Sequence, residues 1–301
     1  MMTPFTKDGT INEPVLRSWI DFMIENGING LFPISSIGEF FQLSLQECYK
    51  LMDIVVEQAA GRVPVFPGTC SAATDNAIKL AKYAEKLGCP AVVALPPHYA
   101  PVSQELVRKH FEKVANSVNI SVILYNIPMM TSPISLQVFE QLLAVRNIVG
   151  IKDSSGNMNY LLHMIDLTRQ HGRPEFGVFT GYDDLQYSAL SVGAKGCISA
   201  VCGVIPELSV AICREYHAGN KEKALEIQMS ILASLRTMSS LQFPAGYKMA
   251  LDIRGFNTGP LRLPIDEIDK YQYLSTKKKL QDQLGALLGN KLVACKQSIL
   301  R

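Results

Sequence analysis

From residue 30 to residue 200 the chain repeats one unit, and that repeat restricts the fold more than any other feature. Each unit is a short apolar run, a polar turn and an amphipathic helix, with a period of about 30 residues, the size of one βα unit. The strand candidates are Gly30–Ile34, Val63–Pro67, Ala91–Leu95, Ser121–Tyr125, Ile148–Lys152, Phe176–Thr180 and Gly196–Ala200. Between them, apolar residues recur at three- and four-residue spacing, as in Val15–Glu25, Leu45–Gln58, Asn76–Leu87 and Gln104–Val118. Ser44-Leu45-Gln46-Glu47 has capping-box spacing, which signals one helix start. Alternating βα units predict a parallel sheet, and this many predict closure into an α/β TIM (β/α)8 barrel. An open doubly wound sheet is the alternative, but no Gly-x-Gly-x-x-Gly follows an early strand to support it.

Two regions depart from the repeat. Only Met1-Met2-Thr3-Pro4-Phe5 precedes the Lys7-Asp8-Gly9 turn, so the first strand is expected to be short or truncated, or the native start to lie upstream. After Ala200 the pattern becomes helix upon helix: Glu207–Tyr216, Lys221–Ser239, Tyr247–Arg254 and Asp266–Leu288. The first can close the barrel, and the others are expected to form a C-terminal helical extension with Phe243-Pro244 as a joint. The expected division is a barrel over 1–219, its helical extension over 220–289 and a loose tail over 290–301.

Composition removes several functions. With 301 residues and a net charge of +2, the chain carries no basic footprint for nucleic acid or an anionic membrane. The run Lys277-Lys278-Lys279 lies in a helical pattern and reads as a solvated face. No apolar stretch approaches the ~20 residues of a membrane span, and no signal-peptide pattern opens the chain. Seven scattered cysteines without a Cys-x-x-Cys pair suit buried thiols in a reducing cytoplasm. The five histidines show no metal-ligand spacing, which disfavours metal-dependent chemistry; only His98 falls near the expected site.

In a barrel, chemistry gathers at the C-terminal ends of the strands. Those ends carry Ser35-Ser36-Ile37-Gly38-Glu39, Pro97-His98-Tyr99, Tyr125-Asn126-Ile127-Pro128, Lys152-Asp153, Gly181-Tyr182-Asp183-Asp184 and Ile198-Ser199. Lys152 ends an apolar run, where an unpaired ammonium is costly. It either curls into solvent or pairs with Asp153, or it sits among apolar neighbours as a nucleophilic amine for Schiff-base chemistry. Tyr125 is either a core tyrosine or a phenol that moves protons. An amine, phenols, hydroxyls and a carboxylate pair at one mouth favour the chemical reading of both.

These segments, in this order, resemble the dihydrodipicolinate synthase/N-acetylneuraminate lyase superfamily of class I pyruvate-dependent aldolases over nearly the whole chain. Thr3-Pro4-Phe5, Leu43-Ser44, Gly150-Ile151-Lys152-Asp153 and Gly196-Cys197-Ile198-Ser199 add to the match. The resemblance implies that Lys152 forms an imine with pyruvate or another 2-keto acid and that Tyr125 shuttles the proton. It implies that the turn at Ser36 and Ile37 binds the keto-acid carboxylate through backbone N–H groups, and that the Ile198 carbonyl contacts pyruvate. It also implies that Tyr99 reaches a neighbour's site in a homodimer or homotetramer. No external cofactor is implied.

Three departures from the family's pattern bear on the aldehyde substrate. Ile37 replaces a hydroxyl, and Ala200 stands where the sialic acid lyases place one. Met130 stands where the dihydrodipicolinate synthases have an arginine for a second carboxylate; a thioether cannot make that charged pair. Gly181-Tyr182-Asp183-Asp184 resembles the turn of lyases and 2-keto-3-deoxy sugar acid aldolases, with Asp183 suited to sugar hydroxyls, although the same aspartates also suit a helix start. The expectation is therefore a Schiff-base carbon–carbon lyase acting on an unphosphorylated 2-keto-3-deoxy sugar acid. The alternatives are N-acetylneuraminate lyase or dihydrodipicolinate synthase activity, a dehydratase using the same imine, and a non-catalytic keto-acid-binding homologue.

Overall fold

A computed structural model describes residues 1–263 and 270–293. The expected helix start at Asp266 and the tail beyond 293 lie outside the described residues. Five parallel strands stand side by side in chain order: β1 (Ala91–Ala94), β2 (Ser121–Asn126), β3 (Ile148–Asp153), β4 (Gly177–Thr180) and β5 (Gly196–Cys197). Two earlier segments continue the series through single parallel bridges, Leu31 to Val65 and Gly68 to Val93. Both were expected as full strands. Pro33, Pro64 and Pro67 supply no amide donor, and Ile34 turns to a left-handed φ of 56°, so neither segment builds a longer ladder.

The eighth position of the barrel falls to the first residues. The Met1 nitrogen donates to the Phe32 carbonyl at 2.7 Å, and Thr3 Oγ1 donates to the Gly38 carbonyl at 2.8 Å. Residues 1–5 make no strand ladder; Phe5 bridges Ile11 antiparallel across the Lys7-Asp8-Gly9 turn. The ring is closed further by the helix Glu13–Glu25, whose fully buried Trp19 donates from Nε1 to the Gly203 carbonyl at 2.7 Å. That one bond joins the first helix to the loop after β5.

Local signals explain where helices begin. Ser44 Oγ accepts from Glu47 N at 3.2 Å while Ser44 N donates to the Glu47 carboxylate at 2.9 Å, completing the box that starts Leu45–Ala59. Such a cap contributes about 1 kcal/mol. Strands β1 to β3 are apolar and buried on both faces, as parallel strands covered by helices must be.

After β5 come the helices Pro206–His217, Lys221–Ser239, Ala245–Ile253 and Lys270–Leu288. The fully buried Arg254 fastens the last of the barrel helices to those that follow, donating to the Glu207 carboxylate at 2.6 Å and the Val204 carbonyl at 2.9 Å. Among the described residues no helix is long and apolar enough to cross a membrane, and no cluster of three or more His, Cys, Asp or Glu side chains could hold a metal ion. The six described cysteines are free thiols.

Candidate active site

Strand register brings the site together. Tyr125 on β2 pairs with Lys152 on β3, so the two side chains leave the sheet on the same face. Lys152 is only 7% exposed, and its Nζ lies 4.1 Å from the centre of the Tyr125 ring and 5.1 Å from that of Phe32. Both rings present a negative face to that nitrogen. The reading in which the lysine curls into solvent or pairs with Asp153 is overturned. Asp153, one residue on and so facing the other way, accepts instead from Asn126 Nδ2 and Ser155 Oγ, each at 2.7 Å. Burial raises the Asp153 carboxyl above its ordinary value, and those hydrogen bonds oppose the rise.

The Tyr125 hydroxyl is buried and shares a 3.1 Å hydrogen bond with Ser36 Oγ. Ser36, Ile37 and Gly38 form one 3-10 turn after the first bridged segment. Two non-glycine residues with left-handed backbone, Ile34 (φ 56°) and Glu39 (φ 55°), bracket that turn. For a β-branched isoleucine this conformation is strained, and only surrounding contacts can hold it.

Gly181 follows β4, with its N–H donating to the Asp153 carbonyl at 2.6 Å. A Cβ there would strike Ser154 Oγ and come within 2.8 Å of Lys152 Cε, so glycine makes room for the lysine to run past. The Ile198 N–H donates to the Thr180 carbonyl at 2.9 Å, which carries β5 into the same mouth. Asp183 is already engaged: one carboxylate oxygen accepts from Val201 N at 3.1 Å and the other from the Tyr247 hydroxyl at 3.3 Å. Burial raises the Asp183 carboxyl, while Ser199, Val201, Lys152 and Tyr247 work in the opposite direction. Nearby, Cys202 Sγ lies 3.1 Å from Ser199 Oγ and 3.2 Å from Ser209 Oγ, and its interaction with Cys197 lowers the Cys202 thiol and raises that of Cys197.

Ser36, Ile37, Tyr125, Lys152, Gly181, Asp183 and Ile198 line one largely apolar cavity of about 1040 Å³. Tyr99 does not; it is fully exposed, with a φ of 84°. A smaller cavity of about 250 Å³ shares Ser36, Ile127 and Met130 with the first and reaches His98. Two other cations, Lys195 and Arg214, line the large cavity. Lys195 precedes β5 and Arg214 ends a helix running back from it, so both belong to the end of the barrel away from Lys152.

The sequence alone did not point to Phe32, the second ring beneath Lys152. Nor did it point to Met238, Leu241, Phe243 and Tyr247, which the C-terminal extension contributes to the cavity wall. Their only signal was apolar character in a region already assigned to helix packing.

A TIM barrel with a strand-end lysine set against a phenol in a deep apolar cavity is the framework of a Schiff-base, class I carbon–carbon lyase. Residues 1–283 match the model of the dihydrodipicolinate synthetase family, and the chain belongs to that family. It is 34% identical over 292 residues to a 4-hydroxy-tetrahydrodipicolinate synthase of Methanococcus maripaludis, covering 95% of this chain and 96% of that protein. Among solved structures it is similar to YagE, a prophage protein of the dihydrodipicolinic acid synthase family from E. coli K12 in complex with pyruvate. That match has a TM-score of 0.87 and 31% identity, and covers 94% of this chain and 96% of the other. Dihydrodipicolinate synthase from Aquifex aeolicus matches with a TM-score of 0.89 and 28% identity over 98% of both chains. These comparisons correct one expectation. The curated relatives carry the synthase name, so placing this chain nearer the sugar acid aldolases is not supported.

Proposed function

We propose that the protein joins pyruvate to an aldehyde through an imine on Lys152, and that 4-hydroxy-tetrahydrodipicolinate synthesis is the reaction its relatives' names favour. The observation that carries the imine chemistry is the buried Lys152 Nζ, 4.1 Å from the ring of a tyrosine whose hydroxyl bonds Ser36. The free amine of Lys152 attacks the pyruvate ketone, and water leaves. The iminium draws electrons, a proton leaves C3, the enamine carbon attacks the aldehyde, and water then hydrolyses the product iminium to free Lys152. Tyr125 carries the proton of the carbon–carbon bond step, after the imine has formed, with Ser36 holding its hydroxyl in place. The turn at Ser36 and Ile37 binds the pyruvate carboxylate through its N–H groups, Ile198 contributes its carbonyl, and Gly181 leaves space for the lysine. Asp183 shapes the wall through Tyr247 and Val201. Tyr99 reaches the site of a second copy in a homodimer or homotetramer, which acts in the cytoplasm.

A second reading rests on Met130. Among the described residues lining the cavity, the lysine and arginine side chains other than Lys152 are Lys195 and Arg214, neither of them at the Lys152 end, which suits an uncharged polyol aldehyde better than one carrying a carboxylate. Borohydride with pyruvate should leave a stable mass increase on Lys152; an unmodified lysine defeats the proposal. Assays of aspartate semialdehyde consumption beside pyruvate release from unphosphorylated 2-keto-3-deoxy acids then decide between the two partners.

A further inference from the structure

The residue that closes the carboxylate-binding turn is itself a buried charge. Glu39 is fully buried in a left-handed conformation, and its Oε1 lies 3.0 Å from the Nζ of Lys248, whose side chain is 4% exposed. Its Oε2 accepts from Arg262 N at 2.9 Å and Leu263 N at 3.4 Å. Lys248 belongs to the helix Ala245–Ile253 and also donates to the Pro260 carbonyl at 2.9 Å. Both cations lie against the Phe5 ring, Lys248 Nζ 4.6 Å and the Arg262 guanidinium carbon 4.3 Å from its centre. On the other side of the turn, Thr3 Oγ1 donates to the Gly38 carbonyl.

A turn bounded by strained residues at Ile34 and Glu39 needs outside restraint to keep that shape. A buried ion pair contributes little net stability, but removing one partner leaves an uncompensated charge that must rearrange. Here the charge sits on the residue adjacent to Gly38, in the turn whose Ser36 hydroxyl bonds Tyr125, the strand neighbour of Lys152. We propose that Glu39 and Lys248 are positioning residues for the keto-acid carboxylate. Their ion pair braces the Ser36–Gly38 turn against the C-terminal helix and so sets the affinity for pyruvate. This rests on the reading of that turn as the carboxylate site. It makes the helical extension part of substrate binding as well as of the cavity wall.

The test is borohydride trapping of pyruvate on the full chain as a function of pyruvate concentration. In Lys248→Met, the half-saturating pyruvate concentration should rise about tenfold or more while the maximal trapping rate stays within about threefold of wild type. The double variant E39Q/K248M, which buries no unpaired charge, should fall between wild type and K248M. Loss of folded protein alone lowers the trapped amount and leaves half-saturation where it was, so that result overturns the proposal. An unchanged half-saturating concentration overturns it as well. If K248M does not fold, Glu39→Asp carries the same test, because it keeps both charges while withdrawing the brace by one methylene. Wild-type protein that traps no pyruvate would instead sink the imine reading, an outcome seen before any variant is made.

Discussion

Replacing Gly181 with alanine tests how closely the lysine's path is fixed. The added methyl would overlap Ser154 Oγ, lie 3.2 Å from Ser154 Cβ and lie 2.8 Å from Lys152 Cε. The hydroxyl can rotate away, but Cε is the last carbon before the reacting nitrogen. Clearing it to ordinary contact moves that carbon by roughly 1 Å, and the amine moves with it. Overpacking of this kind costs about 1–3 kcal/mol of stability. A displacement of about 1 Å at the reacting atom costs on the order of 100-fold in rate. G181A should therefore lower the urea midpoint modestly and slow pyruvate trapping by about 100-fold. Adding Ser154→Ala removes the clash with the hydroxyl but leaves the one with Lys152. The double variant should regain stability without regaining the trapping rate. G181A that traps pyruvate within about twofold of wild type would refute the reasoning, because the lysine's position would then not depend on that space.

Tyr125→Phe keeps the ring beneath Lys152 and removes the hydroxyl bonded to Ser36, so trapping should persist while steady-state turnover falls by about 100- to 10,000-fold; equal loss of both would place the hydroxyl in imine formation itself. Glu47, bonded by Arg262 and Ser44, is held down from 4.5 to about 2 by the Arg262 side chain. A depressed carboxyl stabilises the fold above its ordinary value and loses that contribution as pH falls through the lowered one. Both side chains of the pair are partly exposed, so solvent screening reduces the effect. Urea unfolding should show Glu47→Gln about 1–2 kcal/mol less stable than wild type at pH 7, with the gap closing between about pH 4.5 and 2. A gap that persists at pH 2 would remove the ion pair as its cause.

Much of the site was legible because strand-end position and residue chemistry coincide in a barrel. Lys152 follows an apolar run, Tyr125 follows another one unit earlier, and parallel pairing of consecutive strands makes them neighbours. The same periodicity placed β1 to β4 to within a residue or two, and the capping box at Ser44 was found where its spacing put it. For Lys152 the sequence left pairing with Asp153 open beside the favoured reading of an amine among apolar neighbours. The structure supports the favoured reading, because strand alternation turns the Asp153 carboxylate to the opposite face, where Asn126 and Ser155 hold it. Asp183 likewise reads as a free acceptor until the fold brings Tyr247, 64 residues later, to its second oxygen.

The sequence by itself determined the barrel, the order of its units and the identity of the amine and phenol at its mouth, because those follow from short-range periodicity and from which end of a strand a residue occupies. Only the tertiary structure decided how far the lysine is buried, which rings it lies against and which distant charge secures the turn ending at Glu39. Those contacts join residues as far apart as Glu39 and Lys248, or Trp19 and Gly203. No local pattern encodes such pairs; they arise when the closed barrel brings its ends together.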